Sequence, residues 1–592
     1  MKNFLRPDGS KRPGVERLPL HKYAPWAATL CLGLAVFLFW RLRYPFALVY
    51  QEQLQMFLFD DDYLLSRLSE PGGLARYVAE FLVQFYNGVA IGAAILAVLF
   101  MLVQRLTWRL MRSESHYAWS FVPALLLWYA MGDESLLLTY GVALVLTLLA
   151  TWLLARWFWA WGYTPRVLGK KMLVMLVVLP LMYWLVGPMV LLLAAFLMPI
   201  SVVYALGLML LSAYWLPYPM SRVMIGIGYY RIPDVLTLMT VLIPVVVFLI
   251  GNIIHLLPRA GRKATVAEAI AAVAAAVLLV PLGYEAKKYE LMEYDYLVRV
   301  KDWQAIIAKA ERQTPDLPMS VSATNLALAM TNQLGDRAFD FYQRGAEGLL
   351  PGFERNFATT QLTGEIYFHL GLVNTAQRLA FEAMEAIPNY NKSARVVKRL
   401  AETNLINGQY DVARKYLAML QKTIFYRPWA ERTLAMLPSR HSARQGGSAD
   451  GEAAIDRHPL YGTLRRYRLQ DDFLFSEQEI DKICGQLLAH CQQNRMAAQY
   501  LVMAPLMDRD IARFMQYAQY VQTTTGYNPR HCQEAEAFAF MQQRQQPPQG
   551  LISQYILQQM NDFARIYAAG KQSPELQRFR NTAWYYLVKS EE

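Results

Sequence analysis

The chain has 592 residues, 55% hydrophobic and 13% aromatic, with a formal net charge of +12 and a mean hydropathy of +0.17. That apolar content exceeds the make-up of an ordinary water-soluble chain and excludes a single soluble domain. The excess lies in residues 25–283, where apolar runs of about 18 residues or more recur. Residues 284–592 instead follow the period of amphipathic helices. The basic residues cluster beside the apolar runs, so the positive charge reads as membrane anchoring and gives no support to a nucleic-acid role.

Residues 1–24 form a basic tail with Pro7, Pro13 and Pro19, read as cytoplasmic and leading into an uncleaved first span over 25–40. Further spans fall at 86–103, 118–131 and 136–155. Arg105, Arg109 and Arg112 place the loop after the second span inside, Gly132-Asp-Glu-Ser135 is outside, and Arg156, Arg166, Lys170 and Lys171 return the chain to the inside. The apolar stretch 172–213 is interrupted at Pro180, Gly187-Pro188 and Pro199. A span at 235–257 followed by Arg259, Arg262 and Lys263 requires one or three crossings within that stretch. The last span, 266–283, then delivers the remainder of the chain to the outside, the periplasm of a Gram-negative cell. The fold class is all-α, a polytopic transmembrane helix bundle of about seven to nine spans followed by a soluble helical domain.

Between the first two spans, the external loop 41–87 carries Asp60-Asp61-Asp62. On a continuous helical wheel Leu54, Phe57, Leu58, Leu65 and Leu68 share a face, and Asp61 falls in its middle. A carboxylate on an apolar face is costly without a cation, a metal or a substrate, which makes Asp61 and its neighbours site candidates. The competing reading ends the helix at the three aspartates, which then cap the next one. In Leu74–Tyr86, Arg76 and Glu80 stand four apart and are expected to pair on the exposed side, and Tyr77, Phe81 and Phe85 form a packing stripe. On the same membrane face, Arg222 and Arg231 lie among aromatics that include Tyr229 and Tyr230. Guanidinium groups among interfacial rings suit a lipid phosphate, and equally suit ordinary headgroup anchoring.

In the soluble half, Gly364, Tyr367, Gly371, Ala376, Ala383 and Pro388 occupy the small, aromatic, turn and proline positions of a tetratricopeptide repeat. A looser copy follows with Ala401, Gly408 and Ala413, and an earlier turn is expected at Gly335, so 284–436 reads as a TPR-like α-solenoid. The polar, glycine-rich segment 437–456 is a linker to a C-terminal helical domain, 457–592. Cys484, Cys491 and Cys532, near His490 and His531, read as reduced helical cysteines because their spacing matches no zinc pattern.

A span from a cytoplasmic N-terminus, an external loop with aspartates, interfacial helices and a second span together resemble the start of the GT-C membrane glycosyltransferases. That class uses polyprenyl-phosphate-linked sugar donors, places its working acid in the first external loop, and in several members carries helical repeats after the last span. The resemblance implies catalytic roles for Asp60, Asp61 and Asp62, with Glu52 or another of the aspartates as second acid. One carboxylate would act as general base on an acceptor hydroxyl, or Asp61 and Asp62 would hold a divalent metal, Mg or Mn, at the donor phosphate. Arg222 or Arg231, with Tyr229 and Tyr230, would bind the leaving phosphate, and the repeats would hold a periplasmic protein or glycan acceptor. Separately, Gln51–Phe59 together with Pro71–Tyr86 resembles an uncharacterised family of bacterial multi-pass inner-membrane proteins over most of the chain. The alternative function is a non-enzymatic, membrane-anchored TPR scaffold that recruits envelope proteins.

Overall fold

In a computed structural model, which describes residues 20–113, 115–162, 164–231, 238–352, 357–387, 391–438, 449–469, 479–570 and 573–589, every regular element is a helix. Among the described residues the β-type pairings are isolated bridges, Leu136 with Tyr230 and Arg344 with Ala346. The chain forms two units. One comprises 1–43, 67–79 and 90–284, and the other 44–66, 80–89 and 285–592.

In the first unit, six helices among the described residues are long and apolar enough to cross a membrane: Tyr23–Arg43, Val89–Met111, Leu138–Ala160, Pro165–Leu197, Leu238–Leu256 and Arg262–Gly283. Six such helices suggest a membrane protein. Tyr117–Ala130 and Ser201–Trp215 are apolar but shorter. The stretch 172–213 breaks at Gly187-Pro188 and near Pro199, as the sequence suggests, but not at Pro180, which lies inside the Pro165–Val186 helix.

The reason Pro180 leaves its helix intact is a replacement hydrogen bond. Proline has no N–H, so the carbonyl four residues earlier loses its helical donor. For Pro180 that carbonyl belongs to Leu176, and the Tyr204 hydroxyl donates to it at 3.3 Å. The same device recurs at Pro244, inside Leu238–Ile253, where the Tyr140 hydroxyl donates to the Thr240 carbonyl at 2.8 Å. At Gly187 the backbone takes φ 72° and ψ −147°, a conformation that glycine adopts at little cost. Gly72 packs against this turn, its N–H donating to the Trp184 carbonyl at 2.9 Å.

In the second unit, helices form consecutive hairpins. Phe357–Leu370 packs on Val373–Glu385 across a turn at Gly371 (φ 99°), and Ala394–Ile406 packs on Tyr410–Gln421 across Gly408 (φ 77°). Ala376, Ala383, Ala401 and Ala413 are buried where the paired helices approach, and Pro388 lies outside the described residues. Gly335 is not an inter-helix turn. It sits in the short Leu334–Arg337 helix with the Pro529 ring and the Tyr527 hydroxyl packed into the space a Cβ would take, and the turn falls earlier, at Asn332 (φ 59°). Ala449–Arg457 is helical, so the second half of the expected linker is structured, while 439–448 lies outside the described residues. The stretches 284–436 and 457–592 share one apolar core containing Leu326, Ile366, Leu405, Leu487, Leu501 and Phe514.

The segment expected as an external loop, 41–87, divides between the two units. Its segments 44–66 and 80–89 belong to the second unit and pack on the helical hairpins rather than forming a free loop of the membrane unit. Pro45–Glu52 lies on the Ala286–Val300 helix, with Tyr44 against Tyr289 and Phe46 against Tyr296 at ring separations of 4.3 and 5.1 Å.

The tyrosine device has a direct test. Tyr140→Phe removes the hydroxyl that donates to the Thr240 carbonyl in an apolar interior, a loss of about 1–3 kcal/mol. It should lower the midpoint of thermal unfolding of the detergent-solubilised protein, and adding Pro244→Ala, which restores the N–H, should recover most of the loss. A Tyr140→Phe midpoint equal to wild type would refute it.

Candidate functional site

The acidic segment starts with Glu52, the last residue of its helix and 5% exposed. The Arg299 guanidinium donates to Glu52 Oε2 at 3.1 Å, to the Tyr426 hydroxyl at 2.8 Å and to the Val49 carbonyl at 3.4 Å. Burial pushes the Glu52 carboxyl above its ordinary range, and Arg299 pulls it back. Next to it, the fully buried Gln53 donates through Nε2 to Asp295 at 2.9 Å and accepts from Arg395 at 2.9 Å. Arg395 also donates to Asp295 Oδ1 at 2.7 Å.

From Arg395 the charges continue across the hairpins. Glu365 lies 4.0 Å from Arg395 and accepts from Arg399 at 2.5 Å, and Arg399 reaches Glu402 at 3.2 Å. The Arg399 guanidinium also sits over the Phe368 ring at 3.5 Å. Burial acting alone would raise Glu365, but Arg399 and Arg395 overcome it and hold the carboxyl down to about 2. Beside it, His369 is held neutral, chiefly by burial, at about 3. Sequence reasoning missed this network. Its signal was present as Glu365 and His369, and Arg395, Arg399 and Glu402, at three- and four-residue spacings on helices whose other faces are apolar.

Past Gln53 the chain leaves the helix, and this overturns the wheel. Residues 54–60 are not helical, and the Met56 and Phe59 N–H groups donate to the carbonyls of Lys392 and Lys422, each at 2.8 Å. A new helix, Asp61–Leu68, starts at the second aspartate. Asp61 and Asp62 are exposed in its first turn, where carboxylates are favoured by unpaired N–H groups and the helix dipole. Asp60 pairs with Lys422 at 2.9 Å. Asp61 therefore does not project from an apolar face. Among the described residues no group of three or more His, Cys, Asp or Glu side chains converges to hold a metal ion.

Arg76 and Glu80 are also not on an exposed side, at 4% and 0% exposure. In the second unit Glu80 accepts from the Tyr63 hydroxyl at 2.5 Å, and Phe81 and Phe85 pack in a run of rings with Phe57, Phe59 and Phe425. In the membrane unit Arg76 pairs with Glu70 at 2.9 Å, and Glu70 accepts from the Tyr218 hydroxyl at 2.5 Å. Burial and that bond push the Tyr218 phenol up to about 12, and Arg222 lies over its ring at 4.7 Å.

Tyr229 and Tyr230 are core residues, 3% and 2% exposed. The Tyr229 hydroxyl donates to the Val186 carbonyl and accepts from the Met189 N–H at 3.4 Å, bridging the helix break at Gly187. The backbone of 229–231 joins that of 135–137, with the Leu137 N–H donating to Tyr229 at 2.9 Å and the Arg231 N–H to Ser135 at 2.7 Å. This places the loops expected on one membrane face side by side. Arg222 and Arg231 are half-buried there.

Residues 22–590 match DUF6057, a family of unknown function. The chain belongs to this family. No curated protein and no solved structure matches it. The charge network, the aspartate-started helix and the tyrosine-bridged break are thus features of a DUF6057 member.

Two predictions concern the network. Arg395→Met leaves Asp295 and Glu365 buried without their shared cation, a loss of about 3–5 kcal/mol. The variant should unfold at a clearly lower temperature, while Lys422→Met, which removes a half-exposed pair, should shift the midpoint little. Acid is the second probe. His369 in the fold titrates near 3, below its ordinary 6.5, so the unfolded chain takes up that proton first. Its contribution is complete above pH 6.5 and is lost as pH falls toward 3. Glu365, held near 2 against an ordinary 4.5, adds a loss of the same sign between pH 4.5 and 2. The unfolding midpoint should fall on acidification below pH 6.5, and His369→Gln should flatten the profile between 6.5 and 4.5. An unchanged slope in that variant would contradict the assignment.

Proposed function

We propose that this DUF6057 member is a membrane-anchored scaffold. In this reading a tetratricopeptide-like α-solenoid, carried on the periplasmic side of a bacterial inner membrane, recruits envelope proteins. The observation that carries the reading is the use made of the loop acids: Glu52 is consumed by Arg299 and Tyr426, Asp60 by Lys422, and Asp61 and Asp62 start a helix. A transferase needs a carboxylate presented to substrate, and Glu52 and Asp60 are committed to cations while Asp61 and Asp62 occupy the first turn of a helix, where the dipole favours them. Stacked helical hairpins bind partners through side chains left exposed on their outer helices. Phe381, on Val373–Glu385, and Val412, on Tyr410–Gln421, are such residues, 46% and 37% exposed.

The alternative is a polyprenyl-phosphate sugar transferase working through the same aspartates, with or without Mg or Mn, and the two are separated by one set of variants. Asp60→Asn, Asp61→Asn and Asp62→Asn should each leave the cell's glycan profile unchanged. Phe381→Glu combined with Val412→Glu should lose co-purifying envelope proteins at unchanged membrane level. Loss of a glycan product in any aspartate variant would overturn the scaffold reading in favour of catalysis.

A further inference from the structure

We propose that a polar cleft in the helical unit, about 810 Å³ in volume, is a binding site for an acidic saccharide. It lies between the loop after the Ala338–Asp340 turn and the C-terminal segment around 577–589, away from the acidic segment 52–62.

Arg344, Arg509, Arg580 and Lys589 line the cleft against Asp340 and Glu347, and Asp340 is already engaged by Arg337 at 3.3 Å. Among the described residues none of the four cations forms an ion pair, and the buried Nε of Arg509 has no hydrogen-bond acceptor. Cations gathered in a concave surface with one uncommitted acid attract an anion, and guanidinium groups grip carboxylate or phosphate oxygens in bidentate fashion.

The second element is rigidity. The loop that presents Tyr342 and Arg344 is pinned from beneath. Asp508 Oδ1 accepts from the Ala346 N–H at 2.7 Å, and the buried Asn325 amide donates to Gly348 and to Gln343, each at 2.8 Å. Gly345 has φ +65°, and a Cβ there would meet Asp508 Oδ1 at 3.0 Å. Opposite, Phe339 and Tyr586 stack at 4.6 Å, and Arg509 lies 5.0 Å from the Tyr586 ring. A loop already ordered before binding loses little freedom on binding.

The third element selects the ligand class. Tyr342, on this rigid loop, is 49% exposed and offers a ring for the C–H face of a sugar. The Gln577 and Asn581 amides at the rim each supply a donor and an acceptor, which hydroxyl groups need together. The exposed surface of the lining is mostly polar. Cations, amides and an exposed ring together match a saccharide that carries carboxylate or phosphate groups.

The test uses full-length protein in detergent and titration calorimetry with trigalacturonic acid, a neutral galactose trisaccharide and a hexaglutamate peptide. Trigalacturonic acid should bind, weaken as salt rises, and bind at least tenfold more tightly than the neutral sugar. Arg344→Ala combined with Arg580→Ala, both exposed positions, should weaken binding tenfold or more at an unchanged unfolding midpoint. Tyr342→Ala should do the same, with Tyr342→Phe restoring affinity. Absence of trigalacturonate binding, equal or tighter binding of hexaglutamate, or indifference to the arginine pair would each overturn the proposal. None of these outcomes depends on the scaffold reading.

Discussion

The arrangement depends on one buried cation. Arg395 contacts Gln53 and Asp295 and approaches Glu365, so a single guanidinium ties together the acidic segment, the Ala286–Val300 helix and a hairpin. A buried charge is costly in isolation, and it persists here because several partners share it. This constraint fixes where 44–56 must run.

The membrane unit solves a related problem by other means. Prolines inside its helices remove an N–H and Gly187 interrupts one, and in a hydrocarbon environment each freed carbonyl needs a new donor. Tyr204, Tyr140 and Tyr229 supply them at Leu176, Thr240 and Val186. Tyrosine suits the task because its ring packs as an apolar body and its hydroxyl ends in a donor. Tyr229 therefore holds a helix break together.

Much of this was legible in the sequence, and what was missed shares a cause. Apolar length alone located the long membrane helices, and Gly371 and Gly408 marked real turns because a positive φ has a local signature. The Asp61 wheel failed because its break is imposed from far away, by the Lys392 and Lys422 carbonyls that take the Met56 and Phe59 N–H groups. Gly335 misled for the same reason: its missing Cβ makes room for Pro529, nearly two hundred positions along the chain. Pro180 looked like a break because the hydroxyl that compensates it lies on another helix. Local periodicity carries none of these long-range partners.

The most direct test of this account is hydrogen–deuterium exchange over 51–59 in the full-length protein, in wild type and in Arg395→Met. If the segment is locked by the network, the Met56 and Phe59 amides exchange as slowly in wild type as the hairpin core, and protection is lost in the variant. Rapid exchange of these amides in wild type would contradict it, returning the aspartates to a mobile loop.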